Sequence, residues 1–219
     1  MNRLNNKMLA IAALVGAMIA DLAETIVDPA NTGNATRIYD AALDHHGWMV
    51  LCAGLLLASS VLIVPGVNGI VGSLDGRAVW LGRVAKTFAL LGAIGHGALA
   101  GVYLMWSSIP GGGATRAQLI HVIERLNDSP SLVLIFPLFI AFPVALLATF
   151  GAAVRAERAP KWVLGAAAAA LALAIARPVS DRFSTSVALV CLIVAALGVA
   201  TRGERTSGAS GLSPYPAAS

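Results

Sequence analysis

A chain of 219 residues that is 58% hydrophobic and only 12% charged, with a mean hydropathy of +0.79, is built for lipid rather than water. Soluble domains average about a quarter charged residues, and the long apolar runs here leave no room for one. The net charge of +4 sits in short loops, where it sets membrane topology, so the basic balance does not point to nucleic acid.

The N-terminus, with Asn2, Arg3 and Lys7 ahead of an apolar run from Met8, imitates a signal peptide. Asp21 and Glu24 interrupt that run and no clean A-x-A site follows, so 8–27 reads as an uncleaved first span. Further spans are expected at 48–71, 84–106, 131–154, 162–177 and 183–200, a crossing taking roughly 20 residues. The fifth is short and Ala-rich, but Pro160 can open a helix there and Pro178 can close it. Ser129 and Pro130 supply a cap and a first helical residue for the fourth. Pro65, Pro137 and Pro143 lie inside spans, where they should kink helices and free backbone carbonyls. Cys52 and Cys191 also lie inside apolar runs, without CxxC or Cys/His spacing, and read as core residues rather than a disulfide or zinc framework.

Six spans put the N-terminus, the 72–83 loop, the 155–161 loop and the C-terminus on one side. That side holds 10 of the 15 basic residues: Arg3, Lys7, Arg77, Arg83, Lys86, Arg155, Arg158, Lys161, Arg202 and Arg205. Only three acids, Asp75, Glu157 and Glu204, accompany them. The positive-inside rule makes both termini cytoplasmic. Residues 1–200 form the transmembrane domain, and 201–219, Ser/Gly/Pro-rich toward the end, are expected to be a disordered cytoplasmic tail.

Two outer loops are substantial. Residues 28–47 are polar and carry no assigned element. Residues 107–130 open on Gly111, Gly112 and Gly113; Thr115 and Gln118 then show capping-box spacing, and Leu119, Ile120, Ile123 and Leu126 share a helical face. A short amphipathic interfacial helix is expected over 115–127, as either a lid or a packed connector.

An ionisable group at membrane depth costs roughly 2.5–3.5 kcal/mol on insertion scales, so it suggests a function or a partner. Asp21, Glu24 and Asp28 follow i, i+3, i+7 spacing and share one stripe of the first span, with Ala10, Ala13 and Ala17 extending it inward. His96 lies among Gly92, Gly95, Gly97 and Gly101 of the third span, seven residues before Tyr103 and so on the same face. Asp21, Glu24, His96 and Tyr103 are thus the candidate catalytic set, able to line a cavity opening outward and to run general acid–base chemistry. The bland alternative is that these groups pair and tie helices together. Arg177 and Arg182, near Asp181, and Trp106 at the outer end of the third span are candidates for substrate binding, Arg being suited to an anionic head group. Asp44, His45 and His46 begin the second span on the same side; without HxxxH or HExxH spacing they support no metal assignment, and no cofactor is expected.

LGRVAKTFALLGAIGHGALAG (81–101) and RLNDSPSLVLIFPLF (125–139) resemble stretches of small uncharacterised actinobacterial polytopic membrane proteins. The resemblance covers about two-fifths of the chain, implies a shared multi-span fold in a bacterial plasma membrane, and carries no activity. The size and scattered intramembrane acids are also similar in style to those of integral-membrane terpene cyclases, by analogy of charge placement; those enzymes protonate an isoprenoid with a buried carboxylate.

The sequence thus describes an all-α, six-span, N-in/C-in bundle surrounded by membrane lipids. The leading functional expectation is a small membrane enzyme acting on a lipophilic substrate, an isoprenoid or lipid, by carboxylate acid/base chemistry. A non-catalytic accessory subunit and a proton-coupled small-molecule transporter are the alternatives. Gly- and Ala-rich faces permit a homodimer.

Overall fold

A computed structural model describes residues 3–30, 34–72, 74–111, 113–176 and 181–209. Among these the chain is helical throughout, without a strand. The helices are α1 (Arg3–Val27), α2 (Ala35–Asp44), α3 (His46–Val71), α4 (Val79–Ser108), α5 (Arg116–Asn127), α6 (Pro130–Arg155), α7 (Lys161–Ala176) and α8 (Asp181–Ala209).

Five of them, α1, α3, α4, α6 and α8, are long and apolar enough to cross a membrane. The fifth expected span is α7, whose 16 residues reach about 24 Å at 1.5 Å per residue. The hydrocarbon core is roughly 30 Å thick. Still, α7 joins the two ends of the bundle. The Lys7 ammonium donates to the Val199 carbonyl at 3.2 Å, and the Arg182 guanidinium donates to the Asp28 carbonyl. These contacts make α1 and α8 antiparallel, with the start of α1 beside the last turns of α8. At that same end Arg158 approaches Asp75 at 3.9 Å. At the opposite end, the mouth of the ring, the His46 ring contacts the Ser107 carbonyl at 3.1 Å. The two chain ends therefore emerge together, as an even number of crossings requires.

Neighbouring helices close a ring in the order α1, α3, α4, α6, α7, α8 and back to α1. Glycines set the tightest seams. A Cβ on Gly66 would lie 2.8 Å from the Leu14 backbone nitrogen, and one on Gly95 would lie 2.5 Å from the backbone of Leu138 and Phe139. Only a hydrogen fits there, so α3 meets α1, and α4 meets α6, backbone to backbone. Pro65 lies within α3, and Pro137 and Pro143 within α6; each helix is continuous through them.

The end that carries the termini is an apolar core of Ala, Leu, Val and Phe side chains, Leu146 and Phe150 among them. Toward the mouth a second core forms around Ile38, Met49, Leu56, Tyr103 and Ile123. The capping box at Thr115 and Gln118 starts α5 as the spacing predicts, and Ser129 and Pro130 start α6. The segment 28–47 departs from expectation, because its middle is α2, capped by the Asn34 side chain on the amides of Thr36 and Arg37. Ile38, Tyr39, Ala41 and Ala42 bury one face of this helix, which packs on α5. The interfacial helix thus has a helical partner, and the Arg116–Asp40 ion pair at 2.8 Å ties the two. At the other end α8 continues to Ala209, and 210–219 lie outside the described residues.

Candidate functional site: a polar bridge inside the ring

α3 lies between α1 and α4 in the ring, yet side chains of α1 and α4 meet across the interior. His96, fully buried, is held at both nitrogens. Its Nδ1 is 2.8 Å from the Gly92 carbonyl of its own helix, and its Nε2 is 3.2 Å from Asp21 Oδ2. A carbonyl only accepts, so Nδ1 carries a hydrogen. One further proton must then lie between Nε2 and Oδ2, since two lone pairs would otherwise face each other. Whether that proton rests on the imidazole or the carboxyl, the pair has no net charge.

The imidazole is clamped by α6 as well. Phe139 stacks on it at a tilt, with centroids 4.7 Å apart, and Phe142 meets it edge-on at 5.2 Å. This contact depends on Gly92 and Gly95, which bring the α6 backbone against α4. One turn toward the mouth, the Tyr103 hydroxyl donates to Glu24 Oε1 at 2.9 Å. Asp28, buried at the end of the acid stripe, accepts from the Ala30 amide at 2.9 Å through Oδ1. The stripe therefore runs from the mouth down to the dyad. Two of its acids, Asp21 and Glu24, are hydrogen-bonded to side chains that can exchange a proton, His96 and Tyr103.

Several buried polar atoms have no protein partner among the described residues: Asp21 Oδ1, Ser59 Oγ, Trp106 Nε1 and Ser184 Oγ. Orphaned groups of this kind are few in native proteins. Two of them, Asp21 Oδ1 and Ser59 Oγ, lie on α1 and α3 beside the dyad, whereas Trp106 Nε1 is at the mouth end of α4.

The four residues expected as one set, Asp21, Glu24, His96 and Tyr103, are brought together as two hydrogen-bonded pairs. Trp106 packs its ring 5.6 Å from that of Tyr103. Arg182 is exposed and is engaged by the Asp28 carbonyl; Arg177 and Pro178 lie outside the described residues. Asp44, His45 and His46 do not form a ligand set, and among the described residues no three His, Cys, Asp or Glu side chains could share a metal. His46 instead contacts the Ser107 carbonyl, while His45 lines an apolar hollow of about 350 Å3 with Ile26, Val27, Pro29 and Trp48. That hollow lies at the mouth, between the end of α1 with Pro29 and the start of α3 with His45, and its lining does not include the four bridge residues. Outside the ring, Asp40 raises the pKa of the Arg116 guanidinium by hydrogen bonding and charge, and the same guanidinium lies 5.6 Å over the Tyr39 ring.

Ser59, the Gly92 carbonyl, Phe139 and Phe142 were not singled out by the sequence. A signal for Ser59 existed: Cys52, Ser59, Ile63 and Ile70 form one fully or nearly buried face of α3, and Ser59 is its one hydroxyl. No known protein family, curated protein or solved structure matches this chain.

Proposed function

We propose that this integral membrane protein is a small enzyme that acts on a lipophilic substrate by carboxylate acid–base chemistry inside its helical ring. The observation that carries the reading is the Asp21–His96 pair, with one shared proton fixed by the Gly92 carbonyl and with Asp21 Oδ1 unpartnered. A carboxyl held this way can take a proton from a substrate at Oδ1 as its Oδ2 proton passes to His96 Nε2, and can return it by the reverse path. Glu24, oriented by Tyr103, is the second acid–base group. Phe139 and Phe142 keep the α6 side of the imidazole dry. Trp106 and Arg182 border the approach from the mouth, and Arg177 joins them in the sequence-based assignment. The basic loops argue for termini in the cytoplasm and a mouth facing outward, in a bacterial plasma membrane by the resemblance of the two quoted stretches.

The test compares lipids and metabolites in wild type, a deletion strain and Glu24→Gln at matched protein level. A compound lost in both mutants, with a precursor accumulating, is the expected result. No difference in any lipophilic species would overturn the enzyme reading and favour an accessory subunit. A second reading has its own support: Asp21, Glu24 and Asp28 form a continuous acid stripe from mouth to dyad, as a proton-coupled transporter would use. In that case the purified protein in liposomes gives a pH-dependent flux that Glu24→Gln removes.

A further inference from the structure

Two of the orphaned oxygens lie at one level of the ring. Gly66 of α3 lies against the Leu14 backbone of α1. Seven residues, two turns, from that contact along each antiparallel helix bring Ser59 opposite Asp21. The neighbouring Ser60 hydroxyl donates to the Ala93 carbonyl of α4 at 2.8 Å, and Gly97 approaches the same hydroxyl, which puts His96 at that level too. On α3, Leu62, Gly66 and Gly69 face α1 while Ser60 faces α4. Ser59 falls between these two directions and is fully buried, so it points into the gap that the dyad spans. The Asp21 side chain is itself 9% exposed. Neither Asp21 Oδ1 nor Ser59 Oγ has a partner, so the two do not bond each other.

We propose that the gap between Asp21 and Ser59 binds the hydroxyl group of an uncharged lipophilic alcohol, which donates to Asp21 Oδ1 and accepts from Ser59 Oγ. The inference rests on the acid–base reading above and names the substrate class of that site. The atoms decide the chemistry. Asp21 Oδ1 needs a donor whether the shared proton rests on Asp21 Oδ2 or on His96, so a ketone or an ether cannot satisfy it. A charged head, anionic or ammonium, would leave water for a dyad that has no net charge to receive it.

Dodecanol, dodecane, dodecylammonium and dodecyl phosphate share one chain and differ in head group. Each is titrated into the purified full chain in lipid nanodiscs, with the unfolding midpoint as readout. Dodecanol is expected to raise Tm above the shift given by the other three. Ser59→Ala should bind dodecanol about three- to tenfold more weakly, yet be at least as stable as wild type without ligand, because an unpaired buried hydroxyl has been removed. Ser60→Ala, which loses only its bond to Ala93, should keep the full dodecanol response. An equal response to dodecane, a preference for either charged head, or undiminished dodecanol affinity in Ser59→Ala would overturn the alcohol site. Those results leave a metabolite change in Glu24→Gln standing. A Ser59-dependent dodecanol response without any metabolite change would instead support the site and remove the enzyme reading.

Discussion

α4 meets two partners in opposite ways. Toward α6 it has no side chains in the seam at Gly92 and Gly95, and backbone lies on backbone. Toward α1 the helices stay apart and only side-chain tips touch, through His96–Asp21 and Tyr103–Glu24. The first contact is dry and leaves no freedom. The second leaves polar atoms unpartnered and holds exchangeable protons. His96 belongs to both, its ring clamped by Phe139 and Phe142 while Nε2 reaches Asp21. A rigid seam on one side thus aims an adaptable polar group at the other.

His96→Ala attacks both sides at once and should have the largest effect. It leaves Asp21 buried without its partner, and losing one member of a buried pair costs about 3–5 kcal/mol. Unfolding in detergent should show that loss, and Asp21→Asn, which keeps a hydrogen bond to Nε2, should lose less. Wild-type stability in both variants would mean that the dyad holds nothing. Gly95→Ala tests the dry seam alone. Its Cβ would lie 2.5 Å from the Leu138 and Phe139 backbone, and overpacking of this kind costs about 1–3 kcal/mol. If Gly95→Ala is as stable as wild type, the helices are not in backbone contact. Tyr103→Phe removes one bond from the polar side, worth about 1.5–3 kcal/mol where the acceptor is charged and less where it is neutral. Tm together with the metabolite comparison that tests the proposed activity separates a stability effect from misorientation of Glu24. Arg116→Gln, outside the ring, breaks an exposed ion pair with Asp40 and should leave Tm unchanged at high salt, where such pairs are screened.

Elements with a single solvent were legible in the sequence. Apolar runs had to be helices in lipid, and Thr115 with Gln118, like Ser129 with Pro130, marked starts that the structure retains. α2 was not legible as a span is, because it is short and half polar; its buried Ile38, Tyr39, Ala41 and Ala42 were the clue. The stripe of Asp21, Glu24 and Asp28 and the His96–Tyr103 face followed from helical spacing. Their meeting did not, because it depends on α3 lying between their helices and on glycines far from the acids, which no local pattern encodes. Ser59 shows the same limit. A lone serine in an apolar run is unremarkable until the Gly66–Leu14 contact fixes its level.

The short helix α7 has a consequence for the surrounding bilayer. The other ring members have apolar stretches of 19 to 30 residues, whereas α7 has 16, so the protein presents a hydrophobic girdle of uneven height. Lipids beside α7 face a hydrophobic mismatch, which a bilayer accommodates by thinning locally or by letting the helix ends draw the interface inward, at fractions of a kcal/mol per Å. Trp162 and Lys161, both exposed at the start of α7, are the residue types that anchor such a lowered interface. One flank of the ring is therefore suited to thin membrane, and acyl-chain length becomes a variable that acts on this protein from a single side.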